Sequence, residues 1–380
     1  MRFIMATGGS GGHLIPALKT AGELRRRQHD VRFLGAFSFG KRQIRHSGFD
    51  FDEIQAQGLD LADWRKGAYS LFLFARATAA SLCLLRRYRP DAVVGFGGYG
   101  AFPVVLAAVF LRYPTMIHEQ NVVPGRANKV LSRFVDKVTI SFPQAARYWK
   151  GRRTLLTGCP SHRPSRDLDP EEILKKFRLE KGRKTLLILG GSQGSQRINE
   201  AFVRTAAVLK DHLFFQVIHI CGKRDYGDLQ DRYAQMKIPF ALFEFWDEMD
   251  CAYSIADLVM ARAGAVTVTE LIRFQRPAIL IPYPYAGGHQ RENARVLEAA
   301  RVGRVIEEKG LSVDGLQETI LDMLAHSPSP DRWQEGFGED FACDAAGRLA
   351  DEAIQLSGAG EFPAPDPEGQ SDEGLYHLKK

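Results

Sequence analysis

Short apolar runs alternate with longer stretches in which apolar residues return every three or four positions. The short runs predict strands at Arg2–Ala6, Val31–Gly35, Ala92–Phe96, Thr115–His118 and Lys137–Ile140. The longer patterns predict helices over His13–Arg27, Tyr69–Tyr88, Phe102–Leu111, Gly125–Arg133 and Phe142–Trp149. The pattern then restarts with a strand at Thr185–Leu189, a second glycine loop and a helix over Ser195–Leu209. Later strands are predicted at Phe214–Cys221, Phe240–Phe243, Leu258–Ala261, Ala278–Pro282 and Arg304–Ile306. Strands alternating with helices imply parallel sheets built of βαβ units. A restart implies two doubly wound α/β domains, residues 1–160 and 170–356, joined by the Pro-, Ser- and Arg-rich stretch Cys159–Asp169. A ligand is then expected in the cleft between them, at the carboxyl ends of the strands. Residues 357–380, rich in Pro, Gly and acids, read as a disordered tail.

With 380 residues the chain can bury a large core without disulfides or a structural metal. Cys83, Cys159, Cys221, Cys251 and Cys343 are odd in number and form no C-x-x-C pair. That argues for a reducing compartment and against a zinc knuckle. The opening MRFIMATGGSGG lacks a signal-peptide layout. The most apolar stretch, Ala68–Leu85, is interrupted by Arg76, so no membrane span is expected.

The formal net charge of +6 hides an uneven split. Residues 1–165 hold 25 Lys/Arg against 10 Asp/Glu, net +15; residues 166–380 hold 26 against 35, net −9. A basic half suggests an anionic surface as partner, either nucleic acid or lipid. Trp64–Arg89 favours lipid: Trp64, Tyr69, Leu71, Phe72, Leu73 and Phe74 mix with Arg65, Lys66, Arg76, Arg86, Arg87 and Arg89. An ordinary core helix with basic ends is the plainer reading of the same pattern.

Four glycine-containing motifs lie between predicted strands and helices. Gly8-Gly9-Ser10-Gly11-Gly12-His13 follows the first strand and opens a helix, where free N–H groups favour an anion. The second strand ends Phe33-Leu34-Gly35-Ala36, without the acid that a nicotinamide dinucleotide site requires. Gly190-Gly191-Ser192-Gln193-Gly194-Ser195 lacks the Gly-Lys-Ser/Thr ending of a nucleoside-triphosphatase loop but keeps a phosphate cradle. Gly95-Phe96-Gly97-Gly98-Tyr99-Gly100 ends another strand. Arg262-Ala263-Gly264-Ala265-Val266-Thr267-Val268-Thr269-Glu270 starts a helix whose free N–H groups suit a diphosphate, with Glu270 placed for ribose hydroxyls. Each loop alone also reads as a tight turn, and Glu270 alone as a surface helix acid. His118-Glu119-Gln120-Asn121 closes a strand at the cleft; a buried, satisfied histidine is the alternative there. Gln290 and Asn293 carry amides suited to sugar hydroxyls. No spacing fits a metal site, and no G-x-S-x-G elbow is present.

Taken together, GGSGGHLIPAL, VVGFGGYGAFP, IHEQNVVPGRANKVLSRF, LGGSQGSQRINE, RAGAVTVTELI and HQRENA resemble the MurG family, in the family's order, from about residue 6 to 300. The resemblance implies the GT-B glycosyltransferase fold, two Rossmann-like domains facing a cleft. It implies inverting transfer of N-acetylglucosamine from UDP-GlcNAc to the muramyl C4 hydroxyl of lipid I, giving lipid II for the cell wall. Ser192, Trp246 (through its backbone), Ala265, Val266, Thr267, Val268, Thr269 and Glu270 would then hold the nucleotide, and Gln290 and Asn293 the sugar. Ser10, Gly11, Gly12 and Asn121 would face the cleft. His13 is the first candidate for the base and Glu119 the second. The partners implied are UDP-GlcNAc, an undecaprenyl-pyrophosphoryl muramyl-peptide lipid and an anionic membrane surface, with no nucleic acid. The location implied is peripheral, on the cytoplasmic face of the membrane, and no cofactor or metal is required.

Three departures from the family pattern stand out. Ser10 replaces a threonine and Ala263 a serine. The family's TGNPVR linker reads Thr157-Gly158-Cys159-Pro160-Ser161-His162-Arg163, so either Arg163 or His162 takes the uracil contact. The alternatives are a transferase with another lipid acceptor, a UDP-GlcNAc 2-epimerase of similar fold and a non-catalytic sugar-nucleotide-binding protein.

Overall fold

The first strand, β1 (Arg2–Gly8), buries its last six residues in succession, which only a strand covered on both faces can do. In the computed structural model it lies inside a seven-stranded, wholly parallel sheet. Its companions are β2 (Asp30–Ala36), β3 (Asp50–Glu53), β4 (Ala92–Gly95), β5 (Thr115–Glu119), β6 (Lys137–Ile140) and β7 (Thr154–Leu156), in the order β3-β2-β1-β4-β5-β6-β7. The second half repeats the plan with six parallel strands: β8 (Lys184–Leu189), β9 (Phe215–Ile220), β10 (Phe240–Phe243), β11 (Leu258–Ala261), β12 (Ala278–Leu280) and β13 (Gly303–Val305). Their order is β10-β9-β8-β11-β12-β13. The structure describes residues 1–8, 11–37, 40–57, 64–164, 168–191, 194–285, 288–338, 341 and 344–358. Of the expected tail at 357–380, residues 359–380 lie outside them, as does Cys343.

Alternation along the strands divides each core into two layers. Phe3 and Met5 pack with Leu14, Ala17 and Leu24 of the helix Gly11–Arg26. Ile4 and Ala6 face the other way, onto Val104, Val105 and Ala108 of the helix Phe102–Phe110. In the second sheet, Leu186 and Ile188 pack with Phe202 and Val203, whereas Leu187 joins Val268 and Leu271.

The last helix, Ala345–Leu356, returns to the first domain. Its Leu349, Ala350, Ala353 and Ile354 complete the layer around Phe3 and Met5. Ion pairs Arg27–Asp351 and Lys137–Glu352 fix its outer side. The expected second domain, 170–356, therefore runs through a helix that packs on the first sheet. An amphipathic helix needs an apolar partner, but its period does not say which sheet provides it. Two strands escaped the apolar pattern. β3 reads Asp-Phe-Asp-Glu at a sheet edge, and β7 has three residues. The expected helix over Phe142–Trp149 is a single 3-10 segment, Pro143–Tyr148.

Candidate active site

In each sheet the chain order reverses beside one strand pair, β1/β4 in the first and β8/β11 in the second. Doubly wound sheets bind ligands at that place, beyond the strands' carboxyl ends. The four glycine motifs follow these four strands. The helices Gly11–Arg26 and Ala265–Arg273, each opened by one of the motifs, come into contact between the domains. Ser10 and Ser192 lie outside the described residues. Gly194 shows why the second loop needs glycine. Its φ is +76°, and a Cβ there would lie 2.1 Å from the Cys221 carbonyl oxygen.

His13 is the third residue of its helix, half-buried behind Gly11 and Gly12. A Cβ on Gly12 would meet nothing within 4 Å, so the approach is open. Gly97 and Gly98, with φ of +87° and +79°, wrap the imidazole: a Cβ on Gly98 would stand 3.2 Å from its Cδ2. The His13 Nδ1 lies 3.0 Å from Gln120 Oε1, and Gln120 Nε2 donates to the His118 carbonyl at 3.2 Å. The structure thus joins the first glycine loop, the third glycine loop and the HEQN motif around one ring.

Glu119 is placed differently from the expectation. It is 1% exposed. Its Oε1 accepts from the backbone N and Nδ2 of Asn121 at 2.9 and 3.1 Å. Its Oε2 accepts from Gly125 N at 3.0 Å and Asn128 Nδ2 at 2.9 Å. Four donors take up the carboxylate, which organises the turn into the helix Arg126–Leu131 and presents no face to the cleft. His118 is likewise structural: its nitrogens meet Thr139 Oγ1 and Ser141 Oγ, both at 3.1 Å, and burial lowers its pKa to about 3.

Asn121 and Asn293, expected to face substrate, tie the domains together. Asn293 is wholly buried. Its Oδ1 accepts from Val122 N at 3.0 Å, while its Nδ2 donates to Asn121 Oδ1 at 3.0 Å and to the Ala263 carbonyl at 3.1 Å. His289 Nδ1 adds a bond to the Val123 carbonyl at 2.7 Å. Both amide hydrogens of Asn293 are therefore engaged within the protein, and its oxygen accepts one bond. Gln290 accepts from Tyr283 N with Oε1 at 2.9 Å, which leaves its amide nitrogen available as a donor.

The helix Ala265–Arg273 begins after Gly264, whose extended backbone leaves the first helical N–H groups facing outward. Val268 is turned into the core, and Thr269 is buried. Glu270 is 4% exposed and held from two elements. His162 Nδ1 lies 2.7 Å from Oε1, and Tyr253 donates to Oε2 at 3.0 Å. Burial, then the carboxylate itself, keeps the Tyr253 phenol protonated. In the linker it is His162 that meets Glu270, while Arg163 is exposed. Trp246 donates Nε1 to the Glu248 carbonyl at 2.9 Å and packs its ring on Phe177 and Phe243. Arg262 bridges this side to the second loop, donating to Ser195 Oγ at 2.8 Å and pairing with Glu308 at 2.6 Å. Ser195 in turn caps the helix Gln196–Leu209. Gln120, Tyr253 and Arg262 were not expected as site residues. Gln120's place beside Glu119 was visible in the motif, whereas Tyr253 comes from a helix without any sequence signal.

On the outer side of the first domain, the helix Trp64–Tyr88 buries Ser70, Ala77, Ser81 and Leu85 and exposes Tyr69, Leu71 and Phe72. By length and composition Tyr69–Tyr88 could cross a membrane. Here its inner face packs on the helix Phe102–Phe110. Phe110, Val130 and Phe134 are exposed as well, close in sequence to the exposed Arg112, Lys129 and Arg133. These six residues add apolar and basic surface to the first domain beyond the segment read from the sequence. The side chains of Trp64, Arg65 and Lys66 lie outside the described set. Among the described residues no group of three or more His, Cys, Asp or Glu is placed to hold a metal ion.

Comparison with known proteins agrees with the two-domain fold. Residues 3–140 match the glycosyltransferase family 28 N-terminal domain and residues 185–349 the glycosyltransferase family 28 C-terminal domain. A relative from Halothermothrix orenii, the UDP-N-acetylglucosamine–N-acetylmuramyl-(pentapeptide) pyrophosphoryl-undecaprenol N-acetylglucosamine transferase, is 37% identical over 345 residues, covering 85% of this chain and 90% of the relative. The protein of the same name from Anaeromyxobacter sp. is 36% identical over 363 residues, covering 94% and 93%. The crystal structure of Acinetobacter baumannii MurG matches with a TM-score of 0.70 at 26% identity, covering 93% of this chain and 99% of that one.

Proposed function

This chain belongs to the MurG family of glycosyltransferases, and from that premise we propose that it is the hexosyltransferase converting lipid I to lipid II. It moves N-acetylglucosamine from UDP-GlcNAc to the C4 hydroxyl of the muramyl sugar on an undecaprenyl pyrophosphate carrier. The observation that carries this reading is the meeting of two unlike helix starts, one bearing the His13 imidazole, the other backed by Glu270.

The chemistry is a single displacement. The C4 oxygen forms a bond to the anomeric carbon as the bond from that carbon to the UDP oxygen breaks, which inverts the configuration. His13 takes the C4 proton and later releases it to water, the exchange for which imidazole is the common side chain at neutral pH. The N–H groups at Ala265, Val266 and Thr267 receive the negative charge that grows on the diphosphate. This assigns leaving-group stabilisation to the backbone, with no protein-held metal. Glu270 takes the ribose hydroxyls with the lone pairs that His162 and Tyr253 leave. Gln290 reaches the sugar, and the Trp246 backbone the uracil. Glu119 and the Asn121–Asn293 pair hold the cleft's floor.

The basic first domain lies on the cytoplasmic face of the membrane. Tyr69, Leu71, Phe72, Phe110 and Phe134 enter the interface, and Arg112, Lys129 and Arg133 meet lipid phosphates. That attitude would feed an acceptor anchored by its lipid tail into the cleft.

The test is UDP release and disaccharide formation from UDP-GlcNAc, with and without a lipid I analogue. Lipid-dependent release with the disaccharide product is expected. Donor turnover without lipid would replace this reading with the epimerase, and donor binding with no turnover on any acceptor would leave a sugar-nucleotide-binding protein.

A further inference from the structure

We propose that Gln120 is a positioning residue that sets the tautomer and aim of His13; the proposal rests on His13 being the base. Gln120 lies just beyond β5 and is 1% exposed. Its amide has one workable orientation. Nε2 sits 3.2 Å from the His118 carbonyl oxygen, where only a donor is favourable. Oε1 is therefore the atom 3.0 Å from His13 Nδ1. An imidazole nitrogen facing a carbonyl oxygen must carry the hydrogen, so the neutral ring is protonated at Nδ1 and has its lone pair at Nε2. That is the nitrogen required to accept a proton.

The support for Gln120 extends inward. The His118 carbonyl is fixed by its place in β5 and also accepts from Asn128 Nδ2 at 3.2 Å, while the His118 ring is held by Thr139 and Ser141. Gly97 and Gly98 close the two ring edges without side chains that would push the imidazole aside. The arrangement is a base with an orienting partner, but the partner is a neutral amide. A carboxylate in that place would favour the imidazolium and slow return of the proton to water. An amide fixes the tautomer without adding charge.

The experiment compares Gln120→Met, Gln120→Glu and His13→Ala with the unaltered full chain. It uses steady-state kinetics on UDP-GlcNAc and a lipid I analogue, and ¹⁵N correlation spectra of the histidine rings. The expected result for Gln120→Met is a tenfold to hundredfold fall in kcat, little change in KM for UDP-GlcNAc, and loss of the Nδ1–H pattern at His13. Gln120→Glu retains an acceptor of the same size. It should keep that pattern and most of kcat at high pH, with the acid limb of the pH profile moved upward. In a His13→Ala background, Gln120→Met should cause no further loss. If His13→Ala keeps full turnover, the base reading itself fails. If His13→Ala is inactive while Gln120→Met keeps full kcat and an unchanged ring spectrum, only the positioning role fails. Thermal melting identifies a variant that does not fold; Gln120→Glu, which conserves volume, then decides through its spectrum and pH profile.

Discussion

The two domains use the same backbone device for different work. In the first, the loops after β1 and β4 close around a side chain: Gly97 and Gly98 make room for the His13 ring. In the second, the loops after β8 and β11 lead into helix starts with no titratable ring against them, and the side chains nearby, Arg262 and Glu270, are immobilised by Ser195, Glu308, His162 and Tyr253. A helix N-terminus after a glycine loop offers N–H groups in either case. What differs is whether a titratable ring stands in front of it. The fold therefore provides two equivalent anion-favouring corners, and side chains divide them into a proton-transfer corner and a binding corner. Substitutions in the first should change turnover, and substitutions in the second should change affinity.

The strongest test of that division is His13→Ala. Removing a general base lowers kcat by about 10²–10⁴-fold. The affinity for UDP-GlcNAc, measured by titration calorimetry, should stay within about twofold. An equal loss in donor affinity would break the division, because it would put His13 among the nucleotide contacts.

Glu270→Gln is the mirror image. Hydrogen bonds to a charged group contribute about 1.5–3 kcal/mol, so donor Kd should rise about tenfold to a hundredfold while kcat at saturating donor changes little. The tie from His162 to Glu270 is a feature of this chain's linker. Replacing His162 with alanine should produce a smaller rise in Kd of the same kind. A large fall in kcat in either variant would mean that the binding corner also contributes to the transition state.

A third contrast concerns the outer faces. Arg112→Gln together with Arg133→Gln removes two exposed cations beside Phe110 and Phe134. At about 1 kcal/mol per cation, partitioning to vesicles rich in anionic lipid should fall about thirtyfold at low salt. The matching pair on the second domain, Arg204→Gln with Lys210→Gln, should leave partitioning unchanged. Equal effects from both pairs would make the attraction a matter of total charge and not of one face.

Much of this was legible in the sequence, for reasons that particular residues make clear. Runs such as Phe3–Ala6 and Leu186–Leu189 mark strands buried on both faces, and glycines at 97, 98 and 194 mark backbone that no other residue fits. Long-range partnership was not legible. Nothing in the order of residues says that Asn293 bonds Val122 and Asn121 across the domains, that Tyr253 reaches Glu270, or that the last helix leaves the second domain for the first. Of the polar residues expected at the cleft by their motifs, Glu119 accepts four bonds from neighbours and Asn293 spends both amide hydrogens inside the protein. A motif places a residue near a site; only its partners decide which of its atoms remain for a ligand.

The smallest effect tests whether the two domains stand or fall together. Each has one wholly buried histidine on an inner strand, His118 on β5 and His219 on β9, and burial lowers both pKa values to about 3. Each is neutral in the folded chain and titrates near 6.5 when unfolded. Between these values the unfolded chain binds a proton that the folded chain does not, so stability is intact above about pH 6.5 and falls as pH drops toward 3. The slope is about 1.4 kcal/mol per pH unit for each histidine. The last helix, by packing on the first sheet after the chain has built the second, is the physical means of coupling the domains. With coupling, urea unfolding between pH 6.5 and 5 is one transition whose pH slope carries both histidines. His118→Asn and His219→Asn should then each remove about half of the histidine share. If instead two transitions separate, and each substitution flattens only one, the shared helix does not transmit stability and the two domains unfold as independent units.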